Sequence, residues 1–335
     1  MDIELLHELP EGKRRQWVQL LERCGLEPDA GAQTTALIWE GDRLIAAGSR
    51  QDSILKCIAV DPAHQGENLA ATLLTQLRQD AFSQGLRHLF LYTKPRNRMM
   101  FSSLFFYPVA QSEQVLLMES RKNGIRDFVR NLQAPQTEGV IGAAVMNCNP
   151  FTLGHRYLIE TAARECDWLY VFVLSEDKSL FPAADRLALV QAGTAELPNV
   201  TVQPTGPYLI SSATFPTYFL KEQDSAAEAH CGLDLEIFTR YFVPRLGITR
   251  RYVGTEPLSP VTSRYNEALA RLLPSRGVEL RLLPRLEQSG EPISASRVRA
   301  LLQAGEKEKL QALLPETTLR YLEERGLMKE KRILL

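Results

Sequence analysis

The feature that most restricts the fold of this chain is an apolar run at residues 140–146, in the middle of the sequence. A strand that is apolar along its whole length has both faces covered by helices, as central strands of parallel sheets do. A loop at residues 147–151 follows, and then a helical pattern from about residue 154 to 165. Strand, loop and helix in this order predict a doubly wound parallel sheet, in which ligands bind at the carboxyl ends of strands.

The second half of the chain continues this alternation. The apolar patterns predict strands at residues 168–174, 200–202, 251–253 and 278–283, and helices at residues 183–196 and 298–302. Connections of this length between strands are crossovers, which join parallel strands. We therefore expect a Rossmann-like sheet in this half.

The first half has a different order of elements. Its patterns predict strands at residues 34–40, 44–49, 54–60 and 88–92, with a long amphipathic helix between about residues 69 and 84. The polar stretch at residues 131–139 contains Pro and Gly and is the least structured part of the sequence. We therefore predict an α/β domain at residues 1–130 and a parallel-sheet domain at residues 138–335.

Composition excludes several classes of protein. With Lys+Arg 39 and Asp+Glu 40 the formal net charge is -1, so there is no overall positive field to hold nucleic acid. The start of the chain is acidic and no apolar stretch approaches the ~18 residues that span a bilayer. The five scattered cysteines form no C-x-x-C pair for zinc or redox chemistry. We expect a cytoplasmic protein without a membrane segment or a bound metal.

A candidate nucleotide site follows the run at residues 140–146. Thr152, Gly154 and His155 form a T-x-G-H string at the predicted start of a helix. Glycine lets the backbone approach a phosphate, and the amides of a helix N-terminus attract one. The imidazole of His155 can then neutralise charge that develops at an attacked α-phosphate, with a hydrogen bond from the Thr152 hydroxyl beside it. A cap or a surface histidine is the alternative for so short a string.

A second candidate element lies near the C-terminus. Ser294, Ser296 and Arg299 stand at the start of a predicted helix, where they can hold the β- and γ-phosphates that leave as pyrophosphate. The alternative is an ordinary serine cap beside a solvated arginine. The stretch at residues 178–186 has a basic residue at each end, and we take Lys178 as a phosphate-binding candidate, with a surface charge as the alternative.

These strings resemble the H/T-x-G-H nucleotidyltransferase superfamily, with Thr in place of its first His. The segments at residues 146–159, 253–257 and 292–299 are more narrowly similar to the citrate lyase ligase family, over nearly the whole chain. The resemblance implies that Thr152, Lys178 and His155 are catalytic. It also implies a set of nucleotide-binding residues: Asn149, Phe151, Gly154, Gly254, Glu256, Ser294, Ser296 and Arg299.

The family resemblance also implies a reaction. ATP and acetate would give acetyl-adenylate and pyrophosphate, and the acetyl group would pass to the prosthetic-group thiol of the citrate lyase acyl carrier subunit, with release of AMP. Mg²⁺ would be carried with ATP, because no cluster of metal ligands is evident in the sequence. Two alternatives remain open: a dinucleotide-forming enzyme such as a phosphopantetheine adenylyltransferase, and a CoA-binding protein without catalysis.

The segment at residues 60–70 resembles the pyrophosphate loop of GNAT-type acetyltransferases, which exposes amides to CoA at a helix start. Gln65, Gly66 and Ala70 match this loop, whereas Asn68 stands where a glycine is expected. Three interpretations of the first domain follow: a structural or carrier-docking domain, a binding site for a CoA-type group, or an active acetyltransferase. The sequence does not identify a catalytic base for the third.

Overall fold

The structure is a computed structural model that describes residues 1–29, 31–177, 179–210, 215–220, 223–255 and 260–327. The chain packs into two compact units. The first comprises Met1–Asp127 and Phe215–Glu236, and the second comprises Phe128–Thr214 and Ile237–Leu335. Within the described ranges, no helix has the length and apolar character needed to cross a membrane.

The first unit is built on a seven-stranded sheet of order β1-β2-β3-β4-β5-β7-β6. Its strands are β1 Asp2–Leu6, β2 Thr34–Glu40, β3 Arg43–Gln51, β4 Ile54–Val60, β5 Phe90–Thr93, β6 Tyr107–Gln111 and β7 Leu116–Glu119. The helices that begin in this unit are α1 Glu11–Arg23, α2 Leu69–Ser83, α3 Arg98–Ser103, α4 Gly124–Arg130 and α7 Gln223–Ile237. Every neighbouring pair is antiparallel except β4 and β5.

The amphipathic pattern of α2 explains the core of this unit. Leu73, Leu74 and Leu77 recur at helical spacing and are buried against the sheet. They pack on strand residues such as Ile38 and Leu55, which alternate with residues on the other face. The predicted strands at residues 34–40 and 54–60 coincide with β2 and β4.

The second unit contains a five-stranded parallel sheet of order β10-β9-β8-β11-β12. The strands are β8 Ile141–Met146, β9 Trp168–Val173, β10 Val200–Pro204, β11 Arg250–Gly254 and β12 Glu279–Leu283, with a short hairpin of β13 Glu287–Gln288 and β14 Glu291–Pro292. The helices are α5 Leu153–Arg164, α6 Ala183–Gly193, α8 Val243–Leu246, α9 Pro260–Leu272, α10 Ala295–Ala304, α11 Lys307–Leu310 and α12 Glu316–Glu324, and a π-helical turn, Phe238–Phe242, precedes α8.

The strand order of this sheet determines where a ligand can bind. The chain runs from β8 through β9 to β10 on one side and then returns to β11 and β12 on the other side of β8. The connections therefore diverge at β8 and β11, and a crevice for ligands forms at the carboxyl ends of strands at such a point. The doubly wound parallel sheet predicted for the second half of the chain is confirmed.

The domain boundary predicted at residues 131–139 stays a prediction. The structure adds a feature that the sequence did not indicate, because Phe215–Glu236 belongs to the first unit although the sequence on both sides of it belongs to the second. The first unit is therefore discontinuous in sequence.

Candidate active site

The loop after β8 leads directly into the capping box of α5. Thr152 is the N-cap, and its hydroxyl accepts a hydrogen bond from the His155 backbone N–H at 3.3 Å. The His155 side chain completes the box, because its Nδ1 accepts from the Thr152 backbone N–H at 3.1 Å and lies 2.9 Å from the Thr152 hydroxyl. The loop contains a cis peptide bond between Asn149 and Pro150.

These contacts fix the tautomer of His155. A backbone N–H can only donate, so Nδ1 must be the unprotonated nitrogen and Nε2 carries the hydrogen. Burial is the main cause that lowers the pKa of the imidazole to about 4, and the positive charge of Arg285 lowers it further. His155 is therefore a neutral Nε2–H donor near pH 7.

Phe151 lies entirely in the core of the second unit. Its ring is stacked on that of His155, with centroids 6.1 Å apart and an interplanar angle of 15°. It also fills the space that a side chain at Gly193 would need. Because its ring is buried, Phe151 cannot contact a nucleotide through that ring as predicted. The ring packs against the imidazole of His155 instead.

The amides at the start of α5 are less open than the sequence analysis expected. The Leu153 N–H donates to the Leu313 carbonyl at 2.9 Å, and the His155 N–H is taken by the Thr152 hydroxyl. Among the described residues, none accepts from the Gly154 amide. Only this amide of the three is left for a phosphate, since capping satisfies the others.

Gly154 also has a packing role, which the sequence did not indicate. A Cβ at this position would lie 2.9 Å from the carbonyl oxygen of Ile293, closer than real Cβ contacts allow. The absence of a side chain at Gly154 therefore lets the segment before α10 pack against the start of α5. Gly154 thus allows the T-x-G-H string to lie next to the second candidate element, residues 294–299.

The residues at the start of α10 divide into two groups. The Ser294 hydroxyl caps the helix by accepting from the Arg297 N–H at 3.2 Å, which is the ordinary role of an N-cap serine. Arg299 instead donates from Nη1 to the Asn149 carbonyl at 2.6 Å and from Nη2 to the Ser296 hydroxyl at 3.1 Å. These bonds hold the Arg299 guanidinium at the loop after β8, with further N–H groups on it for an anion.

Arg186 is the basic residue at the other end of the stretch that begins with Lys178. It is fully buried and is therefore not a surface charge. It donates to the Phe181 carbonyl at 3.0 Å, to both oxygens of Asn147 at 2.6 and 2.8 Å, and to the Glu176 carbonyl. It therefore fixes the loops after β8 and β9 to each other. Its position in α6, thirteen residues after the end of β9, gave no local signal of this role.

Arg285 was not among the site residues predicted from the sequence. It follows β12 by two residues, its Nε donates to the Thr255 carbonyl at 2.7 Å, and its charge acts on His155. Its Cγ lies 4.0 Å from the position of a Cβ on Gly254, the last residue of β11. The rule that ligands bind at the carboxyl ends of strands would have drawn attention to an arginine in this place.

Two predicted residues cannot be placed. Lys178 and Glu256 lie outside the described residues. In the described part of the chain, no three side chains of His, Cys, Asp or Glu come together in a way that could hold a metal ion.

The GNAT-like loop, residues 60–70, lies in the first unit. Gln65 and Gly66 are exposed, and Gly66 has a φ of +93°. Asn68, the N-cap of α2, adopts the left-handed conformation that a glycine would take there, with a φ of 58°. Ala70 is in the first turn of α2, directly after this left-handed residue.

Two family models match this chain and confirm the GNAT-like domain predicted for its first half. Residues 141–322 match the family described as citrate lyase ligase C-terminal domain, and residues 5–100 match the acetyltransferase (GNAT) family. The solved structure of Escherichia coli ElaA covers 36% of this chain and 99% of its own, with 17% identity and a TM-score of 0.32.

Two relatives match most of the chain. The citrate (pro-3S)-lyase ligase of Klebsiella pneumoniae is 42% identical over 326 residues, which cover 96% of this chain and 95% of the relative. The enzyme of the same name from Escherichia coli K12 is 40% identical over 318 residues, which cover 93% and 90%. Because both domains and nearly the full length match, this chain belongs to the citrate lyase ligase family.

Proposed function

We propose that this ligase uses ATP to activate acetate as acetyl-adenylate and then transfers the acetyl group to the prosthetic-group thiol of the acyl carrier subunit of citrate lyase. The observation that carries the ATP-dependent step is the neutral His155, which is oriented through Nδ1 and leaves Nε2–H to donate at the carboxyl end of β8. A nucleotide at the β8–β11 crevice would place its α-phosphate beside this donor.

The first step is a displacement at the α-phosphorus. An acetate oxygen forms a new P–O bond, the bond to the bridging oxygen of the β-phosphate breaks, and pyrophosphate leaves. The His155 Nε2–H donates to an α-phosphate oxygen, while Arg299 and Arg285 stabilise the charge that develops on the phosphates. The two arginines are held by backbone carbonyls, and His155 is held by the Thr152 N–H, so little reorganisation accompanies the reaction.

The second step consumes the adenylate. The carrier thiol loses its proton, its sulfur attacks the acetyl carbonyl, the bond from that carbon to the adenylate oxygen breaks, and AMP leaves. Mg²⁺ bound to ATP would neutralise charge on the departing pyrophosphate. The donor set of the described residues fits an ion held by the nucleotide itself, because it includes no acidic cluster. Lys178 and Glu256 stay candidates for further phosphate and nucleotide contacts.

The test is pyrophosphate release from ATP with acetate, formate or propionate, with and without the carrier protein. We expect acetate-dependent pyrophosphate release and, with carrier present, AMP and an acetylated carrier. His155→Asn should lower pyrophosphate release by roughly 10²–10³-fold, the loss expected for one preorganised donor. His7→Asn, in the first unit, is the matched control and should keep full activity. A stable dinucleotide made from phosphopantetheine and ATP would refute the proposal in favour of an adenylyltransferase.

A further inference from the structure

The parallel strands β4 and β5 pair only at their beginnings. Ile54 lies opposite Phe90 and Leu55 opposite Leu91, and in the described sheet no rung follows, although β4 continues to Val60. Cys57 has a φ of +53°, an unfavourable value for a residue with a side chain, and the register between β3 and β4 shifts in this region. The two strands therefore separate, and an opening lies between them.

Tyr218 fills this opening. Its hydroxyl donates to the Tyr92 carbonyl of β5 at 2.6 Å. On the side of β4, the Cys57 Sγ donates to the Glu27 carbonyl at 3.8 Å, and the Glu27 N–H donates to the Tyr218 carbonyl. Burial raises the pKa of the phenol well above its usual value, so the hydroxyl keeps its hydrogen. Tyr218 is therefore tied to β5 directly and to β4 through Glu27, where the two strands no longer pair.

The residues beside Tyr218 are buried with it. Phe215 packs its ring against the Tyr92 ring, with centroids 5.8 Å apart, and against His230 at 5.1 Å. The Tyr218 carbonyl accepts from the Glu27 N–H at 2.7 Å. Phe219 and Leu220 are buried as well. The segment is therefore part of the core of the first unit rather than a loop lying on its surface.

The opening has the chemistry of an acyl-CoA site. An extended arm that contains amides can pair with the separated edges of two strands, and an acyl carbonyl oxygen would accept from the Cys57 N–H. The loop of Gln65 and Gly66 follows β4 at its carboxyl end, where a helix start can hold a pyrophosphate. The Tyr218 side chain occupies the space beside β5 that such an arm would need.

We propose that residues 215–220, the Tyr218 segment, close the acyl-CoA site of the first unit, so that the unit binds neither acetyl-CoA nor a dephospho-CoA arm while the segment is in place. The inference is independent of the adenylation chemistry, since every residue that carries it belongs to the first unit.

The test uses the full chain and titration calorimetry with acetyl-CoA and CoA. We expect no measurable binding to the wild type and at least roughly tenfold tighter binding to Tyr218→Ala, which vacates the opening. Tyr170→Ala is the matched control, because Tyr170 is also a buried tyrosine whose hydroxyl donates to a backbone carbonyl, that of Gln133 at 2.9 Å. It should not gain binding.

Binding of acetyl-CoA to the wild type as tight as to Tyr218→Ala would overturn the proposal, and so would a folded Tyr218→Ala that binds neither ligand. If Tyr218→Ala does not fold, Tyr218→Leu decides, because it keeps an apolar side chain in the core and removes the phenol that reaches the Tyr92 carbonyl. We then expect acetyl-CoA to bind Tyr218→Leu at least roughly tenfold tighter than the wild type. A folded Tyr218→Leu that does not bind acetyl-CoA would refute the proposal.

Discussion

At position 155 one imidazole both caps a helix and presents a donor. A side chain held through Nδ1 by the Thr152 N–H loses rotational freedom and has only one tautomer. The T-x-G-H string was predicted from sequence as a phosphate site, but the depressed pKa depends on burial and on Arg285, which lies 130 residues away. Such a long-range charge cannot be inferred from local sequence.

The neutral state of His155 predicts its titration. Because its pKa is lowered to about 4, the imidazole should not titrate between pH 5.5 and 8 in the free protein, as followed by NMR with His155→Asn for assignment. The unfolded chain binds this proton near pH 6.5, so the free energy of unfolding should fall as the pH drops from 6.5 toward 4. For a half-buried ring we expect this loss to be about 1 kcal/mol. Titration near pH 6.5 would contradict the tautomer argument.

Arg285 should affect both the reaction and the histidine. Arg285→Gln removes a positive charge, so the pKa of His155 should rise and the rate of pyrophosphate release should fall about 10–10²-fold. Arg281→Gln is the matched control, because Arg281 lies on β12, four residues before Arg285, but pairs with Glu165 at 3.2 Å. A slower reaction with no change in the pKa of His155 would mean that Arg285 acts through loop structure alone.

Among the secondary-structure elements, hydrophobic periodicity in the sequence was sufficient to predict buried strands and helices with a clear apolar face. Strands β2, β4, β8 and β9 and helix α5 lie within a residue or so of their predicted bounds. Periodicity did not reveal β1, a five-residue strand at the sheet edge whose alternating acidic residues resemble a polar segment. Periodicity also did not reveal α7, because its sequence is only weakly amphipathic. The apolar residues near the end of this helix are buried.

The contact between α5 and the start of α10 depends on Gly154. Gly154→Ala should push the Ile293 carbonyl away, weaken the bond from Arg299 to the Asn149 carbonyl, and destabilise the protein by about 1–3 kcal/mol, as overpacking does. Pyrophosphate release should fall along with the melting temperature. Gly12→Ala is the control, since a Cβ there meets nothing within 4 Å, and it should be neutral or slightly stabilising. A fully stable and active Gly154→Ala would show that the two strings need not touch.

In the whole molecule, the candidate active site and the GNAT-like loop belong to different units. His155, Arg186, Arg285 and Arg299 all belong to the second unit, whereas the GNAT-like loop and the Tyr218 segment belong to the first. The sequence indicated both domains but not the return of Phe215–Glu236 to the first, because the aromatic residues of that stretch fit the core of either domain equally well. Only packing decides between the two cores.

The GNAT-like loop offers the test of how much of the reaction needs the first unit. Gly66→Asp adds a negative charge and a side chain at a φ of +93°, which would repel a pyrophosphate seated on the start of α2. Since Tyr218 closes the neighbouring opening, we expect acetate-dependent pyrophosphate release and transfer to the carrier thiol both to continue at the wild-type rate. Gly85→Asp is the matched control, because Gly85 also has a positive φ, +80°, and open space around it. A selective loss of transfer in Gly66→Asp alone would mean that the loop holds the carrier's prosthetic group.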